Sequence, residues 1–244
     1  MNETYKVQVQ DLVDDLKAVF THAGLGGEAG EYKLLTQSFL YKFLNDKFLY
    51  QAKCLDEVNT YEHLLTLSED DYDWLLEDIG TSTAWLKPDQ LIETLHRQQN
   101  EATFYESFEN TLNQIAIDNN DIFSVHTDGD TAIRLFDERL ITDTISDSSK
   151  RNEVAKSIIN LLARVKFDED IFSQGFDFFS TLFEYMIKDY NKDGGGKYAE
   201  YYTPHSVAKI IADILVGNDQ PSNVRIYDPS AGSGTLLMNL ASRI

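Results

Sequence analysis

The chain has 244 residues, 42% of them hydrophobic, enough for one large domain or two ordinary ones with a substantial core, which excludes wholesale disorder. No apolar run nears the roughly 20 residues that span a bilayer. Met1 is followed by Asn-Glu rather than a basic start and a greasy stretch, and the lone Cys54 leaves no disulfide scaffold, so the composition reads as a soluble cytoplasmic protein with no membrane role. The net charge of −20 is unevenly spread: residues 1–150 carry 11 Lys/Arg against 29 Asp/Glu, and residues 151–244 carry 10 against 12, so the first part presents no broad basic face to phosphates.

In chain order, residues 1–165 read as an acidic helical domain, because their apolar spacing is close to 3.6. Leu12, Leu16, Val19 and Phe20 mark an opening helix that stops at a glycine-rich loop, Gly24–Gly30. Leu34, Leu35, Phe39, Leu40, Phe43, Leu44 and Phe48 form a wide stripe on the next. Ser68 before Glu69, Asp70 and Asp71 is a capping serine with acids at the positive end of a helix carrying Trp74, Leu75 and Leu76. Pro88 can open a further helix through Leu91, Ile92 and Leu95. Later stripes run Ile133, Leu135, Phe136, Leu140 and then Val154, Ile158, Leu161, Leu162, Val165. Aromatics at this spacing are core rather than ligand platforms.

From residue 166 the texture changes, and 166–244 read as a second domain. A helix is expected over 176–190, followed by the polar, glycine-rich 192–197. Thr203 is placed to cap and Pro204 to take the first position of a helix made amphipathic by Val207, Ile210, Ile211, Ile214 and Leu215 and ended by Gly217. Val224–Tyr227 reads as a short strand entering Asp228-Pro229-Ser230-Ala231-Gly232-Ser233-Gly234, after which Thr235–Arg243 is helical. Helix, strand, glycine turn and helix is the start of an α/β layer. Gly232 and Gly234 tolerate positive φ, let a ligand approach the backbone, and precede a helix whose first N–H groups are unpaired. Asp228 stands at the carboxyl end of the strand, where open α/β sheets bind ligands. The turn is neither the dinucleotide G-x-G-x-x-G nor a P-loop.

Asp228–Gly234 resembles the cofactor-binding motif of N6-adenine DNA methyltransferases. Glu200-Tyr201-Tyr202-Thr203-Pro204 resembles the companion motif that precedes it in the γ order of that class. With an acidic helical region containing Ser38-Phe39-Leu40-Tyr41-Lys42-Phe43-Leu44, the whole chain is similar to the modification (M) subunit of type I restriction-modification systems. The resemblance implies a mainly α N-terminal domain followed by the start of a Rossmann-like α/β methyltransferase domain. It implies that Glu200, Tyr201, Tyr202, Thr203, Pro204, His205, Asp228, Ser230, Ala231, Gly232, Ser233 and Gly234 enclose S-adenosyl-L-methionine. It also implies DNA as substrate, methylated at adenine N6, and specificity (S) and restriction (R) subunits as partners. Two departures stand out: His205 occupies a position often held by Arg in the family, and no Pro-Pro occurs anywhere, so the Asn-Pro-Pro-aromatic motif that holds a flipped adenine is missing. The chain is expected to be an inactive N-terminal piece of a longer subunit, ending after the first strand and glycine turn, with no catalytic residue of its own.

Other chemistries fit less of the sequence. Asp189, Asn191, Asp193, Gly194 and Glu200 match the calcium-loop pattern, with Gly196 where an aliphatic is normal; the alternative is a polar linker. His22, His63, His96, His126 and His205 lack zinc spacing, Asp118–Asp121 reads as a turn, and Cys54 as a buried or idle thiol. Two other functions stay open: an acidic helical interaction module that mimics DNA charge, and a calcium-responsive helical module.

Overall fold

A computed structural model of the chain describes residues 3–26, 29–81, 83–123, 125–126, 132–167, 171–172, 185, 203–217, 224–231 and 234–244. It divides into two compact units, Met1–Phe176 and Asp177–Ile244. The first holds α1 (Glu3–Ala23), α2 (Ala29–Leu55), α3 (Tyr61–Leu64), α4 (Glu69–Ile79), α5 (Ile92–Gln98), α6 (Phe104–Asp118), α7 (Asn120–Phe123), α8 (Leu140–Thr144) and α9 (Arg151–Arg164). Between α7 and α8, β1 (Val125–His126) pairs antiparallel with β2 (Ala132–Ile133), Val125 opposite Ile133. The second holds α10 (His205–Val216) and α11 (Thr235–Arg243).

The core of the first unit forms where α9 packs against α1, α5 and α6 and also meets α2 and α8. Its buried Val154, Ala155, Ile158, Ile159 and Leu162 recur at i, i+1, i+4, i+5 and i+8, an apolar stripe two residues wide that serves several neighbours at once. α2 is buried on more than one side, and Lys42, Asn45 and Asp46 go inside with Leu34, Leu35, Phe39 and Phe48, while Phe43 is half-buried. The stripe expected there was thus too narrow, because α1, α4, α8 and α9 all pack on α2 and leave only one side of it partly open.

The connection from α4 to α5 is pinned from outside itself. The Tyr41 hydroxyl donates to the carbonyl of Gln90 at 2.6 Å and the Tyr72 hydroxyl to that of Leu86 at 2.7 Å. Asn119 accepts the Trp85 N–H at 2.6 Å and donates to the Trp85 carbonyl at 2.8 Å. Each bond satisfies a backbone group that would otherwise be buried unpaired, at a cost of about 1–3 kcal/mol. Asn119 also explains the break foreseen at 118–121: α6 ends at Asp118 and α7 starts at Asn120.

Several expectations need correction. The loop after α1 is shorter, since α2 begins at Ala29 and Gly30 is helical; a Cβ there would lie 2.7 Å from Cγ2 of Thr144, so the glycine admits a close approach by α8. Leu135 and Phe136 are not helical: the Asp137 N–H is taken by Gln37 Oε1 at 3.0 Å, and Phe136 is buried from a turn. Val224–Tyr227 is exposed and forms no strand, because no neighbouring segment pairs with it among the described residues. Pro204, not Thr203, is the N-cap of α10, with no side-chain cap bond, and Cys54 is exposed. Residues 176–184 and 186–200, including the calcium-like pattern, lie outside the described residues.

Candidate functional site

The predicted site falls in the second unit. Glu200, Tyr201, Tyr202, Gly232 and Ser233 lie outside the described residues, as does the side chain of His205. Thr203 is half-buried and Pro204 exposed at the start of α10; Asp228, Ser230, Ala231 and Gly234 lead into α11.

The turn is built locally by its own residues. Oδ1 of Asp228 accepts the Ser230 backbone N–H at 2.9 Å and its hydroxyl at 3.5 Å, an Asx turn that reverses the chain without help from the rest of the fold. The Gly234 N–H donates to the Ala231 carbonyl at 2.7 Å, and Gly234 is left-handed at φ 76°, as expected for the residue that turns the chain into α11. A Cβ at Gly234 would meet nothing within 4 Å, so the space beside it is open. The second oxygen of Asp228, Oδ2, is buried and has no hydrogen-bond partner among the described residues. An ionised oxygen in that position is costly unless something donates to it.

α10 and α11 pack along each other. At their C-terminal ends Arg243 Nε donates to Asp213 Oδ1 at 2.8 Å, and its Nη2 donates to the carbonyl of Gly217 at 3.1 Å. The helices therefore run in the same direction, and their N-termini, at Pro204 and Gly234, face the same end. Two helix N-termini at one end concentrate partial positive charge there, which suits a carboxylate. Ala208, Ala212 and Val216, at i, i+4, i+8 on α10, are buried, as are Thr235 and Asn239 of α11. Val207, Ile210, Ile211, Ile214 and Leu215, the apolar side that makes α10 amphipathic, are all exposed, Ile214 by 74%. Small residues let the two backbones come close, so the larger aliphatics lie on the adjoining face.

A buried ionic cluster in the first unit escaped the sequence reading. Lys42 Nζ lies 2.7 Å from Oδ2 of Asp46, and both residues are buried. Asn45 Nδ2 donates to Asp46 Oδ1 at 2.8 Å, and Asn45 Oδ1 accepts the Ile92 N–H at 2.9 Å. Burial lowers the Lys42 pKa, and the Asp46 carboxylate opposes that shift. An i, i+4 Lys–Asp pair on a helix reads as a solvated pair, so only the tertiary packing reveals it. Among the described residues no group of three His, Cys, Asp or Glu is placed to hold a metal, and no helix is long and apolar enough to cross a membrane.

Residues 174–244 match the family model described as N-6 DNA Methylase. The chain is similar to the type I restriction enzyme MpnII methylase subunit of Mycoplasma pneumoniae, at 22% identity over 96% of this chain and 43% of that protein. It is also similar to the type I restriction enzyme MjaIX methylase subunit of Methanocaldococcus jannaschii, at 25% identity over 47% of this chain and 21% of that protein. The crystal structure of the type I restriction-modification system methyltransferase subunit from Streptococcus thermophilus shares its fold, with a TM-score of 0.65 and 21% identity over 99% of this chain and 49% of that one. The chain thus spans less than half the length of each of these relatives.

Proposed function

We propose that this chain is part of a type I restriction-modification DNA methyltransferase subunit, in which the start of α10 and the Asp228–Gly234 turn bind S-adenosyl-L-methionine for methyl transfer to adenine N6 in DNA. The observation that carries this is the buried Oδ2 of Asp228, without a hydrogen-bond partner among the described residues, in a turn that enters α11 through a left-handed glycine with open space at its Cβ position. The cofactor offers donors (an ammonium and ribose hydroxyls) to such an acceptor and a carboxylate to helix N-termini. Asp228 would accept from one of those donors, the Gly234 backbone would admit the ligand without a Cβ in the way, and Thr203 and the residues around it would form a second wall. When bound, the cofactor supplies a methyl group on a sulfonium.

The exposed aliphatic face of α10 supports the α/β reading, since five large side chains at helical spacing require a sheet or another helix as cover. The partners follow from the same proposal: DNA, a specificity subunit that reads it and a restriction subunit. The acidic first 150 residues would reach DNA through local basic residues or within such a complex. Because the sequence contains no Pro-Pro, the residues that would hold a flipped base are not among the 244, and the polypeptide by itself is expected not to turn over.

Equilibrium dialysis with labelled S-adenosylmethionine tests the central point. Weak but saturable binding, competed by S-adenosylhomocysteine and reduced about tenfold or more in Asp228→Ala, is the expected result, equivalent to losing one charge-assisted hydrogen bond. Absence of saturable binding, or binding indifferent to Asp228→Ala, would remove the cofactor assignment. Methyl incorporation into DNA by the 244-residue polypeptide alone would refute its inactivity.

A further inference from the structure

The outer face of α4 is densely acidic and carries one exposed tryptophan. Tyr72, Leu75, Leu76 and Ile79 turn inward, and Trp74 turns outward, 67% exposed. On the helix its neighbours at i−4, i−3, i+3 and i+4 are Asp70, Asp71, Glu77 and Asp78, all exposed carboxylates. From residue 54 to 86 the sequence has nine Asp/Glu and no Lys or Arg. Other acids of the unit pair with a basic residue on their own or a neighbouring turn, as Glu93 does with Arg97, Glu138 with Arg134 and Asp143 with Arg139. On α4 none of Asp70, Asp73, Glu77 and Asp78 is in an ion pair among the described residues. The fold also makes no use of the Trp74 ring, which forms no ring or cation–π contact there. Trp85, by contrast, is half-buried and donates its indole N–H to the Gly80 carbonyl at 2.7 Å.

We infer that the α4 face is a docking surface for an arginine-bearing basic segment of another protein, with a guanidinium stacked on Trp74 and bonded to the carboxylates around it. Charge complementarity selects a cationic partner and repels duplex DNA. The indole selects arginine over lysine, because a planar, weakly hydrated guanidinium stacks on a ring and still bonds carboxylates through its edge. Tryptophan and arginine are both enriched among the residues that dominate interface energies. None of this depends on methyl transfer, and it places the contact on the helical unit alone.

Calorimetric titration of the full 244-residue chain with three probes tests it: a peptide of alternating Arg and Gly, the matching Lys peptide, and a short DNA duplex. The arginine peptide should bind, more weakly as salt rises, and about tenfold more weakly in Trp74→Ala, the loss of one stacked cation. The triple variant Asp70→Asn, Glu77→Gln, Asp78→Asn should weaken it as much or more, while Trp74→Tyr retains most of the affinity. These side chains are solvent-exposed, so unchanged far-ultraviolet circular dichroism is expected for every variant. Failure of the arginine peptide to bind, equal affinity for the lysine peptide, or binding unaffected by Trp74→Ala would overturn the inference, as would duplex binding that the triple variant abolishes.

Discussion

Oδ2 of Asp46 receives the backbone N–H of Phe167 at 2.8 Å, across 121 positions of chain. The same carboxylate holds the Lys42 ammonium, which lies 5.4 Å from the centroid of the Phe167 ring. Five residues on, Phe172 stacks on Tyr50 at 5.3 Å and tilts against Phe43 at 5.8 Å. The end of the helical unit is thereby fastened to α2 just before residue 174, where the N-6 DNA Methylase match begins.

Removing the carboxylate strands a buried charge. Asp46→Ala should destabilise the helical unit by about 3–5 kcal/mol, whereas Lys42→Met combined with Asp46→Leu should recover most of that loss, because apolar pairs of similar volume replace buried ion pairs at little cost. Urea unfolding followed by circular dichroism checks both. A double variant as unstable as the single one would show that the Phe167 N–H, not the charge, dominates.

The two anchoring tyrosines predict an alkaline transition. Burial, with the nearby Asp89 carboxylate second, raises the pKa of Tyr41 and of Tyr72 above the ordinary tyrosine value near 10. In the unfolded chain these hydroxyls ionise first, so the stability tied to them is complete below about pH 10 and declines as the pH rises above it. Absorbance at the tyrosinate band should show a class of tyrosines that titrates only together with loss of helix. Tyr72→Phe should shrink that class.

Ser68 accepts the Asp71 N–H at 3.2 Å and donates its own proton to the Asp71 carboxylate at 2.7 Å. Ser68→Ala should cost about 1 kcal/mol, with Ser68→Asn costing less, since a side-chain acceptor remains at the N-cap. Thermal melts of the three proteins give the ranking directly.

At Gly234, Ala has room but not the backbone preference. Gly234→Ala should cost about 1–2 kcal/mol, since φ is 76°. Faster amide exchange at the start of α11 should report the strain. If the turn holds the proposed cofactor, the same variant weakens its binding, a separate readout from Asp228→Ala.

Local chemistry was legible in the residues alone. Ser68 announced the start of α4, Gly217 the end of α10, and Asp228 through Gly234 a turn into a helix, because each acts on backbone groups within a few positions of itself. Repeating apolar residues announced α1, α2, α4, α5 and α9 for the same reason. What no local rule contained was how the faces are used. Lys42 and Asp46 go inward because several helices pack on α2, Leu135 and Phe136 leave the helical pattern because Gln37 claims the next amide, and on α10 Ala208 and Ala212 are buried while the larger aliphatics stay exposed. A strand at Val224–Tyr227 requires a hydrogen-bonded neighbour, which no sequence supplies about itself. Sequence by itself determined the start of α4, the end of α10 and a turn ahead of α11; tertiary structure decided several helix limits and which side chains are dry, because these depend on residues far away along the chain.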